Sequence, residues 1–240
     1  MVSLYLKRVQ SIAERVDPML FPWTLPVFRD GLHLDFKSPV TFLVGENGTG
    51  KSTLLEAIAG KAEFNPGGGN RHHAYEHHAT ESPMAAALRA QWVRKPTDGF
   101  FLRAESFYNF ATYYDTVGSR VRGSLHARSH GEAFLTMFNE FFERGLFLLD
   151  EPEAALSPNR QLALLARLQD LASAGDSQFI IASHSPILMA HPGADIVSFD
   201  GASLRRVAYR DTDHFKTTRN FINEPERYLV HLTKREKDRP

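Results

Sequence analysis

The chain of 240 residues contains no cysteine, which excludes disulfides, thiolate metal sites and cysteine nucleophiles while leaving the redox compartment open. It carries no charge of either sign in excess. Lysine plus arginine and aspartate plus glutamate number 28 each, so the field of the whole molecule points to neither a nucleic-acid nor an anionic-membrane partner, and only a local basic patch stays open. No apolar run approaches membrane-spanning length, and the first residues, with Lys7 and Arg8 inside a short apolar stretch, lack the long apolar centre of a signal peptide. Internal repeats and heptad tracts are absent too. A soluble, cytoplasmic protein is the expectation.

With 42% hydrophobic residues the chain can bury one substantial core, and residues 1–240 are expected to form a single domain. Its most informative stretch is Gly45, Glu46, Asn47, Gly48, Thr49, Gly50, Lys51, Ser52 and Thr53, which fits G-x-x-x-x-G-K-[ST]. Glycines at these positions let backbone N–H groups curl round phosphate oxygens, the lysine bridges β- and γ-phosphates, and the serine hydroxyl ligates Mg²⁺. An apolar, β-branched run at 40–44 precedes the motif and helix-forming residues follow from Leu54, as a strand, loop and helix require. The helix would then direct its positive end at the anion.

Residues 146–149 are continuously apolar, the mark of a strand buried on both faces, and end in Asp150 and Glu151. This is a Walker B arrangement. Asp150 is the candidate to hold Mg²⁺ and Glu151 to polarise an attacking water as general base; alone, the acid pair could equally open a turn before Pro152. The strand at 178–182 ends at Ser183 and His184, placing a histidine where it would face the γ-phosphate. A third strand, 100–102, runs into Arg103, Ala104 and Glu105, polar groups at what would be the ligand edge of an α/β sheet.

The remaining chain reads as scaffold. Residues 4–9 and 31–36 are expected strands, Trp23 and Phe28 core or edge packing rather than an adenine platform, and 84–93 an amphipathic helix. The segment 63–83, with three consecutive glycines and His72, His73, His77 and His78, is expected to be a mobile loop, a solvated one more readily than a metal site. Ser129, His130, Gly131 and Glu132 precede an apolar helix at 133–142; Ser129 could cap it, or this helix start could receive a phosphate. Ser157 and Pro158 open another helix. Residues 196–199 and 204–207 suggest a hairpin, and 213–232 a helical tail interrupted near Glu224 and Pro225.

Taken in order, Gly-Glu-Asn-Gly-Thr-Gly-Lys-Ser-Thr from Gly45, Phe-Leu-Arg-Ala-Glu-Ser from Phe101, Ser-His-Gly-Glu from Ser129, Leu-Leu-Asp-Glu-Pro-Glu from Leu148 and Ala-Ser-His-Ser-Pro from Ala182 resemble the ABC-type ATPases. The likeness is to small soluble bacterial members related to the SMC, RecF and double-strand-break-repair group. It implies an α/β P-loop NTPase fold with an ABC-type mixed sheet flanked by helices. ATP and Mg²⁺ are the implied cofactors, and the implied reaction is ATP hydrolysis. Two copies would sandwich two nucleotides head to tail in an ATP-dependent homodimer, with Ser129 and Gly131 reaching the partner's γ-phosphate. Lys51, Glu151 and His184 are the implied catalytic set, and Ser52, Asp150 and Glu105 the implied metal set.

Three positions depart from the family pattern. Ser-His-Gly-Glu replaces Leu-Ser-Gly-Gly-Gln, Glu105 stands where a Mg²⁺-sensing glutamine is common, and Ser157 stands in place of an aspartate. The resemblance points to work in nucleic-acid maintenance or defence. Two alternatives stand beside it: the energy subunit of a transporter, which needs an insertion that docks a membrane partner, and a nucleotide-gated module that does not hydrolyse. Only some seventy-odd residues lie between Ser52 and Ser129, about 1.5 Å each if helical, so long coiled-coil arms cannot fit there.

Overall fold

The structure, a computed structural model, describes residues 4–65, 68–69, 82–103 and 130–230, with the side chains of His130 and Phe141 left aside. The histidine cluster at 72–78, Glu105 and Ser129 lie outside the described residues, as does most of the expected loop at 63–83.

Two sheets carry the fold. A three-stranded antiparallel sheet is ordered β2-β1-β4, from β1 (Leu6–Ser11), β2 (His33–Asp35) and β4 (Leu88–Trp92). A six-stranded sheet is ordered β5-β6-β7-β3-β8-β9, from β3 (Val40–Val44), β5 (Gly99–Arg103), β6 (Gly145–Asp150), β7 (Ser177–Ala182), β8 (Asp195–Ser198) and β9 (Arg205–Arg206). Every neighbouring pair in it is parallel except β8 and β9, which form the antiparallel pair expected from the turn at Gly201. With helices on both faces this is the expected mixed α/β architecture.

Side-chain alternation divides the interior between the two faces. Leu43, Phe101, Leu146, Leu148, Ile180 and Val197 face one core with α1 (Lys51–Lys61), α2 (Pro83–Ala87) and the small sheet. Their neighbours Phe42, Phe100, Phe147, Leu149, Phe179 and Ile181 face the other, beneath α3 (His130–Phe141), α4 (Pro158–Ala174) and α5 (Pro186–Met189). Because both faces are covered, β3, β6 and β7 are buried at every position, which is why their sequences run apolar without alternation. An aromatic ladder stitches α3 to the sheet: Phe138 stacks on Phe142 at 4.0 Å, Phe142 on Phe147 at 4.5 Å and Phe147 on Phe179 at 5.1 Å. Each such pair contributes about 0.5–1.5 kcal/mol beyond its buried area.

A fully buried side chain helps to join the sheets. Gln178 of β7 accepts from the N–H groups of Tyr5 and Leu6 through Oε1, both at 2.8 Å, and its Nε2 donates to the Leu6 carbonyl at 2.9 Å. Gln178 itself has no exposure, so this set satisfies a polar group where water cannot.

Residues 84–93 depart from the expected single helix. Only Pro83–Ala87 is helical, and Leu88–Trp92 is a strand. Tertiary pairing decides it: β1 offers an edge that registers Ser11 with Leu88 and Leu6 with Trp92, and Leu88, Ala90 and Trp92 then turn inward while Arg89 and Gln91 face solvent. The tail follows the expectation, with α6 (Asp213–Asn223), a break at Glu224 and a last helical stretch at 225–230.

Candidate functional site

The parallel strands β6, β7 and β3 lie side by side, so their carboxyl ends open onto one edge. Asp150 registers with Ala182, and Ala182 in turn with Leu43, which brings the three following loops level. Two backbone bonds extend the ladder past the strands, from Glu151 N to Ala182 O at 2.9 Å and from Ser183 N to Leu43 O at 3.2 Å. Ligands of α/β sheets sit at such an edge.

The loop after β3 is a cradle of backbone amides closed by α1. Gly50 caps that helix at φ 101°, and a Cβ there would lie 2.5 Å from the Phe28 ring, so conformation and packing both demand glycine. Phe28 and Trp23 are buried and meet edge to face at 6.3 Å, as packing residues rather than an exposed base platform. Lys51 folds back over the loop, its Nζ donating to the carbonyls of Gly45 at 2.6 Å and Glu46 at 2.8 Å. Burial lowers its pKa, opposed by the charges of Glu151, Asp200 and Asp150.

Ser52 and Asp150 meet across the end of β7, with Ser52 Oγ donating to Asp150 Oδ1 at 2.9 Å. Asp150 is 6% exposed, and burial pushes its carboxyl up to about 6 against the opposing pull of the Ser52 hydrogen bond and of Arg103. Arg103, at the end of β5, stands with Nε 3.7 Å from Asp150 Oδ2 and donates through Nη1 to Glu56 at 2.6 Å. A hydroxyl and a carboxylate are hard oxygen donors, the set that suits Mg²⁺. That ion keeps several waters and takes further ligands from phosphates, so two protein oxygens suffice. Among the described residues no cluster of three or more acidic or histidine side chains offers an all-protein metal cage.

Glu151 follows Asp150 in the left-handed region, at φ 51° and ψ 51°. A non-glycine residue there costs on the order of 1–3 kcal/mol and is held only when its surroundings over-determine it. Its carboxylate is 44% exposed, with Oε1 3.5 Å from His184 Nε2. His184 is fixed from two further sides: its backbone N–H donates to Glu153 Oε1 at 2.5 Å, and its Nδ1 lies 2.8 Å from His214 Nε2 on α6. Its Nε2 is buried and makes no hydrogen bond. Burial lowers the His184 pKa, with Lys51 and His214 adding to the effect.

The structure therefore gathers Lys51, Ser52, Asp150, Glu151 and His184 at one edge, with Glu46, Asn47 and Gly48 exposed on the loop above them. Gly131 is elsewhere. It is buried in its own chain, where a Cβ would lie 2.6 Å from Arg160 Nη1 and 3.1 Å from the Ala155 carbonyl, beneath an Arg160–Glu132 ion pair at 3.1 Å.

Three contributors escaped the sequence reading, and a fourth, Arg103, was read only as a polar group at the ligand edge. Asp200 follows β8 and accepts the Glu46 N–H at 2.9 Å; its place after a strand beside β3 was the available signal, but Asp-Gly reads first as a turn. Arg103 ends β5 as read, whereas Glu153 lies in a short 3-10 turn, Pro152–Ala155, three residues past the end of β6. Nothing in the sequence points to His214.

Two family models match, each over part of the chain: an AAA domain at residues 26–62, and "AAA domain, putative AbiEii toxin, Type IV TA system" at residues 123–190. No curated protein matches at a significant level. Among solved structures, cbiO1 from Clostridium perfringens, part of the ABC transporter complex cbiONQ, is 15% identical with a TM-score of 0.53, over 97% of this chain and 100% of that one. MJ1267, an ATP-binding cassette of an ABC transporter, is 12% identical with a TM-score of 0.52, over 95% and 99%. The SMC head domain from Thermotoga maritima is 15% identical with a TM-score of 0.48, over 85% and 98%. The fold is thus that of the ABC ATPases. Among the described residues no helix is long and apolar enough to cross a membrane.

Proposed function

From a chain with the fold of the ABC ATPases and two AAA-domain segments, we propose an enzyme that binds ATP with Mg²⁺ and hydrolyses it to ADP and phosphate. The observation that carries this reading is the convergence of Lys51, the Ser52–Asp150 pair and the Glu151–His184 pair at three level strand ends.

In this reading the amides of Glu46 to Thr53 and the positive end of α1 bind the phosphates. Lys51 exchanges its two loop carbonyls for β- and γ-phosphate oxygens, so the lysine is already desolvated and aimed when nucleotide arrives. Ser52 and Asp150 hold Mg²⁺, which when bound neutralises charge on the phosphates. Glu151, exposed enough to reach solvent, takes a proton from water as that water attacks the γ-phosphorus and the bond to the β-phosphate oxygen breaks. His184 Nε2, which faces Glu151 but makes no hydrogen bond within the chain, donates to the γ-phosphate and so completes its own hydrogen bonding.

A second copy completes the site by laying its Ser129 and Gly131 over the γ-phosphate, giving an ATP-dependent homodimer. Because Gly131 is covered by the Arg160 side chain, the dimer requires that side chain to swing aside from the start of α3 when nucleotide binds. The task served is nucleic-acid maintenance or defence, and the toxin–antitoxin description of the second matched family model favours defence.

Glu151→Gln tests the assignment. The carboxamide keeps the shape and cannot accept the proton, so turnover should fall by about 100-fold or more while ATP binding persists. Light scattering should show the variant held as a dimer by ATP. Wild-type turnover in the variant would overturn the role of Glu151, and a monomer at saturating ATP would overturn the dimer.

A further inference from the structure

His184 makes one contact that the reaction described above leaves unused, the 2.8 Å approach of its Nδ1 to His214 Nε2. Two imidazole nitrogens at this distance share one proton, and which ring carries it fixes the tautomer of both. If His184 Nδ1 donated, its Nε2 would be a bare lone pair facing the Glu151 carboxylate at 3.5 Å, two acceptors opposed inside a partly buried pocket. If His214 Nε2 donates, His184 Nδ1 accepts and its Nε2 carries the hydrogen, so that the ring meets Glu151 with a donor. Electrostatics selects the second arrangement.

We propose that His214 is a positioning residue that holds His184 in the Nε2–H tautomer and in the ring orientation needed to donate at the γ-phosphate. This deepens the hydrolytic reading and rests on it for its kinetic consequence alone. The geometry around His214 suits the task. Thr212, buried, caps α6 by accepting the Phe215 N–H at 3.3 Å, and Tyr209 packs on Phe215 with ring centroids 4.7 Å apart, which together fix the first turn that carries His214. The same turn closes one side of an apolar pocket of about 310 Å³ between α4, α5 and α6, lined by Leu162, Leu165, Ile187, Tyr209, Phe215 and Ile222. The helix is otherwise superficial, with no buried residue of its own, so removal of the imidazole leaves the core intact.

The experiment uses the full chain with ¹⁵N-labelled histidine, as wild type, His214→Ala and His214→Gln. Ring ¹⁵N shifts report the His184 tautomer without nucleotide, and steady-state ATP hydrolysis is measured beside nucleotide affinity. Wild-type His184 should be the Nε2–H tautomer, and His214→Ala should mix the two forms. In His214→Ala kcat should fall about 10- to 100-fold while the Kd for ATP changes less than about twofold. His214→Gln, whose amide can still donate, should restore the tautomer and most of the rate. A wild-type His184 protonated at Nδ1, or a tautomer unchanged in His214→Ala, overturns the proposal. So does equal loss of rate in the alanine and glutamine variants. Absence of hydrolysis in wild type would instead strike the hydrolytic reading, and the tautomer shifts would still decide the role of His214.

Discussion

The two halves of the candidate site differ in how their polar groups are satisfied. On the phosphate side the chain has closed on itself: Lys51 is bonded to loop carbonyls, Ser52 to Asp150, and the Glu46 amide to Asp200. On the water side, Glu151 sits in a disfavoured backbone conformation, and His184 Nε2 and Glu153 Oε2 are buried without hydrogen bonds. In the proposed reading the first half exchanges partners to take up an anion, and the second is held ready and gains bonds when the site fills. Binding should therefore be governed by the closed half and turnover by the open one.

The largest effect expected on this contrast is that of Lys51→Ala. Losing a charged donor to phosphate should weaken ATP binding by about 100-fold, from charge-assisted bonds contributing about 1.5–3 kcal/mol each. Calorimetric titration checks it, and equal affinity in the two proteins would remove the basis for the comparison. Asp150→Asn is next. With its carboxyl raised to about 6, the folded protein holds this proton more tightly than the unfolded chain does between about pH 4 and pH 6. Burial of Asp150 thus costs nothing below that window, and its cost is complete above it. In the absence of Mg²⁺ the asparagine variant should be more stable than wild type at pH 7, by at most about 3 kcal/mol, with the difference closing below about pH 4. Denaturant titrations across pH test this, and a constant difference would show that the carboxylate is not strained by burial. The smallest effect is Glu151→Gly, which relieves the left-handed strain: a gain of about 1 kcal/mol in stability with loss of turnover would sharpen the contrast between a relaxed and a loaded half. A loss of stability would mean that the Glu151 side chain, not its surroundings, holds that turn.

Legibility in the sequence follows the same division. The loop at Gly45 to Thr53 after its strand, the apolar strand into Asp150 and Glu151, and the strand into His184 were readable as elements because doubly buried parallel strands write themselves as unbroken apolar runs, whose ends lie at one edge of the sheet. Residues 88–92 were misread because alanine and leucine suit a helix, while their pairing with a strand some eighty positions earlier leaves no local trace. Asp200 was hidden inside a good turn sequence. His214 lies 30 residues from His184 on an unrelated helix, a proximity that only the folded chain creates. Gly131 shows the reverse case, for its motif was plain and its burial under Arg160 was not.

The Gln178 bridge has a consequence for the making of the molecule. Its partners Tyr5 and Leu6 leave the ribosome 173 and 172 residues before it does. At about 5–20 residues per second that is an interval on the order of 10–35 s. β1, β2 and β4 can pair among themselves once Trp92 has emerged, but the join to the larger sheet waits for β7. During synthesis the amides of Tyr5 and Leu6 have water or a chaperone for company. Contacts of such long sequence separation slow folding, so the join between the sheets should be among the last parts of the chain to gain protection from hydrogen exchange.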